Sequence, residues 1–233
     1  MIPDLHGFGP ALIAGTWMTI QLALASLALG LVLGLLGALA KTSPYVAVRW
    51  IGGTYSTIVR GVPELIWVLL IYFGTINLVR WVGTLVGIED LALSPFAAGT
   101  IALGLCFGAY ATEVFRGALL AIPKGHREAG LALGLGLGKP RIFLRLILPQ
   151  MWRLALPGLG NLFMILMKDT ALVSVIGLEE IMRRSQIAVT ASKEPFTFFL
   201  VAAFIYLGLT VIAMIAMHFL EKRAGRGFSR SAA

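Results

Sequence analysis

Three groups of residues in this chain have types and spacings that could do chemistry: a glycine-rich stretch ending in lysine, three histidines, and a few polar groups set inside apolar runs. The stretch Gly134 to Gly138 reads GLGLG and leads into Lys139, which invites a phosphate cradle of backbone amides. Such a loop needs glycine five residues before its Gly-Lys pair and Ser or Thr after the lysine. The chain has Leu133 and Pro140 there, and no strand leads in. Nucleotide binding by this chain is therefore not expected. His6, His126 and His218 lie far apart and without cysteine, so no metal site is expected either. Arg60, Glu64, Glu113, Asn161, Lys168 and Asp169 lie within or at the ends of apolar runs. A charge at the bilayer centre costs at least about 2.5–3.5 kcal/mol on insertion scales, so these six are the candidates for a translocation path or gate. Blander roles compete. Arg60 can snorkel to an interface, Glu64 can sit in a first helical turn, and Glu113 and Arg116, three apart, can neutralise each other. No general acid, base or nucleophile set emerges, so no catalytic residue is assigned.

The elements that must position these groups follow from composition. Of 233 residues, 58% are hydrophobic and 13% charged, with mean hydropathy +0.90; a soluble domain has roughly 45–50% apolar and 25% charged residues. The expectation is an all-α integral membrane protein, one transmembrane domain over residues 1–233, with spans at about 12–40, 62–79, 96–116, 154–176 and 196–220. The first exceeds the roughly 20 residues that cross a bilayer. Gly30, Gly34 and Gly37 recur along it and could form a smooth packing face. Pro63 places a helix start near Val62, with the proline in the first turn. Cys106 sits in an apolar run as packing. The first nine residues hold Asp4 and no Lys or Arg, so no cleavable signal is expected. Lys168, about 21 Å along a helix from Leu154, needs an acidic or carbonyl partner, within the chain or across an interface.

Net charge is +8, but the basic residues cluster at the ends of apolar runs and do not interleave with aromatics, which speaks for topology and against nucleic acid. With the N-terminus outside, inner segments hold twelve Lys and Arg and outer loops four, an N-out, C-in arrangement under the positive-inside rule. The loop 122–149 carries Lys124, Arg127, Lys139, Arg141 and Arg145, and is cytoplasmic on this count. Its small residues around Glu128 suggest a short surface helix that could enter a groove on a partner.

Glu128-Ala129-Gly130, a glycine further on, and Leu148-Pro149 resemble the EAA loop of permease subunits in bacterial ABC importers. Arg60-Gly61-Val62-Pro63-Glu64-Leu65, Ala109 to Gly117, Pro123 to His126, Leu156 to Asn161 and Lys168 to Leu172 are similar to the polar amino acid branch, above all its histidine/lysine/arginine/ornithine and octopine/nopaline members. The resemblance implies a type I ABC importer permease fold in the bacterial inner membrane, with a polar, basic amino acid or opine as substrate. It implies a second permease, similar or identical, two ATP-binding subunits and an extracytoplasmic binding protein. ATP and Mg would then belong to the partner subunits, with no cofactor on this chain. It assigns coupling to Glu128, Ala129, Gly130, Gly134 and Gly136. Two departures stand out. Gly130 replaces the second alanine, and the stretch from Gly134 to Leu148-Pro149 is two residues longer than usual, a spacing restored by counting from Gly136. Members that recognise cations within the membrane often carry an acid after the residue matching Asn161, where this chain has Leu162. On that basis the negative group for a cation would lie in the partner permease or the binding protein, and Lys168-Asp169 would be a buried or gate-lining pair.

The main alternative is an ion-coupled secondary transporter, which commonly shows internal repeats. None is visible between the halves. A membrane-embedded enzyme would need a polar catalytic set that the spans lack.

Overall fold

A computed structural model describes residues 5–86, 93–123, 125, 128 and 139–225 of the chain. Its principal helices are α1 (Gly9–Lys41), α2 (Val46–Gly61), α3 (Glu64–Val86), α4 (Pro95–Ala121), α5 (Leu148–Asp169), α6 (Ile181–Ser192) and α7 (Pro195–Ala224). A helical turn (Lys139–Ile142) and a π-helical turn (Phe143–Ile147) lead into α5, and a 3-10 segment (Thr170–Ile176) continues it. Among the described residues, four helical stretches are long and apolar enough to cross a bilayer, and the bent pair α2–α3 makes a fifth if it counts as one span.

The bundle is built on α1 against α4. A Cβ on Gly34 would lie 2.6 Å from the Ala111 Cβ, and one on Gly37 would overlap the Thr112 hydroxyl. The backbones therefore approach more closely than any side chain allows, as small residues permit in membrane helices. The packing face expected from Gly30, Gly34 and Gly37 is real: they meet Phe107, Ala111 and Thr112 in the same order. That order makes α1 and α4 parallel. The chain between them must then cross back once, which assigns the bent pair α2–α3 to a single crossing.

Pro63 sets the bend. Lacking an amide hydrogen, it cannot continue α2, and the two helices turn by 104°. The expected start at Val62 is corrected: α3 begins at Glu64, and the Pro63 carbonyl accepts from the Ile66 amide, so the proline precedes the helix instead of filling its first turn. The turn at Ser43-Pro44 is short, because α2 already starts at Val46. α5 runs antiparallel to α4, with Gly158 against Val114 and Leu166 against the same cavity as Leu103. In turn α7 runs parallel to α1, with Leu12 near Phe198 and Ala23 near Ala213. The start of α1 and the end of α7 therefore lie at opposite ends of the bundle.

Candidate translocation network

Glu113 is the hub of the first polar group. It sits on α4 where the ends of α1 and α2 converge. Lys41, the last residue of α1, donates to its Oε1, and the Ser56 hydroxyl lies 3.2 Å from the same oxygen. Arg116 Nε donates to Oε2 at 2.9 Å, so the neutralisation expected from the spacing of three is present. Arg60 adds a more distant contact at 3.8 Å, and its guanidinium lies over the Tyr110 ring, 5.3 Å from the centroid. Three cations around one carboxylate leave this cluster net positive. Arg60 packs on Tyr110 and Glu113, more than the simple snorkelling that its place at a helix end suggests.

Tyr110 connects this cluster to a second group. Its hydroxyl donates to Glu64 Oε1 at 3.1 Å. Glu64 opens α3, as a first-turn acid should. It also lines a cavity with Asp169, Cys106, Tyr110 and the apolar Leu103, Phe107, Leu162, Ile165 and Leu166. The internal volume is about 20 Å³, room for a water and too small for an amino acid. Any cargo passing here requires α3, α4 and α5 to part.

The other candidates separate. Lys168 and Asp169 are not a pair, because successive helical residues point about 100° apart: Asp169 lines the cavity, and Lys168 is exposed, with no salt bridge among the described residues. The structure thus divides the expected pair between the cavity and the surface, and the salt bridges among the described residues leave the interface alternative for the partner of Lys168. Asn161 is likewise exposed, while its neighbour Leu162 faces the cavity. Glu128 is helical and exposed, whereas Ala129, Gly130, Gly134 and Gly136 lie outside the described residues. Among the described residues no three of His, Cys, Asp or Glu come together in a metal-binding group.

Composition and spacing missed Lys41, Ser56 and Tyr110 as members of this network, since each comes from a different helix than its partner. They also missed Glu180 at the other end of the bundle. Wholly buried, it caps α6: its carboxylate accepts from the Met182 and Arg183 amides at 2.9 and 2.8 Å, and from the Tyr206 hydroxyl at 2.9 Å. The Ile181 amide donates to Thr19 on α1. Burial pushes the Glu180 carboxyl above its ordinary pKa, against the lowering by those three donors.

Residues 30–226 match the family described as binding-protein-dependent transport system inner membrane component. The chain belongs to this family. Its similarity to named permeases is extensive. It is 42% identical to the octopine transport system permease protein OccQ of Rhizobium meliloti, covering 97% of this chain and 98% of that one. To the histidine/lysine/arginine/ornithine transport system permease protein HisQ of Escherichia coli (strain K12) it is 40% identical, covering 97% and 99%. A crystal structure of an amino acid ABC transporter with histidines superposes with TM-score 0.77 and 29% identity over 96% of this chain and 100% of that one. This permease therefore has the fold that its motifs imply, and no relative supports an ion-coupled mechanism. The family implies ATPase and binding-protein partners.

Proposed function

We propose that this permease moves a polar, basic amino acid or an opine into the cell across the bacterial inner membrane, N-terminus outside and C-terminus inside. It works with a second permease, similar or identical, and a binding protein delivers cargo from outside. Two partner subunits hydrolyse ATP with Mg, and this chain binds no cofactor. Coupling passes through the segment around Glu128, Ala129, Gly130, Gly134 and Gly136.

The observation that supports a cationic cargo is the placing of Glu64 and Asp169, from two helices, on one cavity. Carboxylates so placed can pair with an ammonium or guanidinium that has shed its water, and an unpaired cation at that depth is costly. Leu162 shares their cavity, so the negative groups absent at its own position are supplied beside it, in this chain. The names of the relatives, which include histidine, lysine, arginine, ornithine and octopine, point the same way.

The test is uptake by the complete transporter in vesicles. Asp169→Asn should reduce arginine or lysine uptake by about tenfold or more, the loss of roughly one charge-assisted hydrogen bond, with ATPase assembly intact. Unchanged uptake of every basic amino acid and opine in Asp169→Asn and Glu64→Gln would reject the cavity as the path.

A further inference from the structure

A groove on the outer surface of the bundle is unlike the polar network. α1 contributes Val32 and Leu35, α4 contributes Phe115, and α5 contributes Leu148, Pro149 and Trp152. Its volume is about 430 Å³, within the roughly 300–1,000 Å³ of ligand sites, and its walls are almost wholly apolar. It lies towards the end of the bundle where α1 finishes at Lys41 and α5 begins. An extended, non-helical peptide laid in such a groove would leave its backbone polar groups unsatisfied, whereas an acyl chain has none to satisfy.

The rim is basic. Arg145 lies three and four residues before Leu148 and Pro149, the spacing of side chains that neighbour one another on a helix. Arg141 lies four before Arg145. Both are exposed, and neither has an ion-pair partner among the described residues. Arg145 is carried by the π-helical turn Phe143–Ile147, a local widening that recurs at functional sites. Trp152, 40% exposed, packs its ring 6.2 Å from that of Phe115. An indole so placed suits the level of the lipid headgroups.

From this combination we infer that the groove is a binding site for one anionic phospholipid of the inner leaflet, an acyl chain lying along α1 and α5 and the phosphate held by Arg141 and Arg145. Basic pockets beside cytoplasmic helix ends hold anionic headgroups in this way. The inference rests on the N-out, C-in reading, which puts this end in the cytoplasmic leaflet. It also anchors the start of α5 just after the coupling segment, so lipid charge has a route to the element that meets the ATPase.

The experiment is native mass spectrometry of the complete transporter purified from vesicles of phosphatidylcholine mixed with phosphatidylglycerol. The wild type should retain phosphatidylglycerol preferentially. Loss of one arginine should weaken retention about fivefold, and Arg141→Gln with Arg145→Gln by more than about tenfold. Val32→Trp, which fills the groove and leaves the charges, should also abolish it. Equal retention of the two lipids by the wild type, or unchanged phosphatidylglycerol in the double variant, would overturn the site. So would a photoprobe on Val32→Cys that labels protein in place of lipid. Retention is read without transport, so unchanged uptake in Asp169→Asn with lipid ratios intact counts against the transport reading and not against the site.

Discussion

Glu180 shows at the residue scale how one side chain ties together parts distant in sequence. It joins the end of the 3-10 segment to α6 and α7, and Gly15 leaves room for it, since a Cβ there would lie 3.1 Å from the Glu180 carbonyl carbon. Its folded pKa is raised. The carboxyl therefore holds its proton more readily folded than unfolded, and by linkage its contribution to stability is full below the ordinary carboxylate pKa and is lost as pH rises through the raised one. Hydrogen exchange at the α6 amides should thus quicken as pH rises through that window, after correction for intrinsic exchange. Glu180→Gln should remove the pH dependence. A parallel profile in the variant would show that the carboxyl does not titrate there. Glu113 has the opposite surroundings, with Lys41 and Arg116 in contact and Arg60 nearby, so its charge is the condition for bringing the cationic ends of α1 and α2 onto α4.

At the scale of elements, the α1–α4 contact sets the architecture. Gly37→Ala forces a Cβ into Thr112, and the helices must separate; overpacking of this kind costs about 1–3 kcal/mol. Gly117→Ala on the same α4 meets nothing within 4 Å and should be neutral, or stabilising by up to about 1 kcal/mol through helix propensity. Thermal unfolding in detergent separates the two, and equal midpoints would mean that the contact yields without cost. The coupling segment makes a second prediction. Gly130→Trp enlarges a surface that must enter a groove, and Glu128→Lys reverses its charge; both should lower uptake with membrane abundance unchanged. Normal uptake in Gly130→Trp would reject docking through this segment, and co-purification of the ATPase subunits measures the docking itself.

At the scale of the whole molecule, parallel α1 and α7 put the start of α1 and the end of α7 at opposite ends of the bundle, and the proposed N-out, C-in orientation follows from the charge count. A reporter fused after Ala233 should be cytoplasmic, and one inserted between residues 86 and 93 external. The reverse labelling would invert the layout. The sequence determined the class, the apolar runs, the family and a break in the helix at Pro63, because composition and local backbone chemistry are properties of the chain itself. Glu113–Arg116 was equally legible, since helical periodicity alone brings residues three apart together. Only the tertiary structure decided that Lys41, Ser56 and Arg60 meet on Glu113, that Glu64 and Asp169 share a cavity, and that Lys168 turns away from it. Each depends on the rotation of one helix about its axis relative to another. That rotation is fixed by close backbone contacts such as Gly34 on Ala111, which a single helix cannot specify.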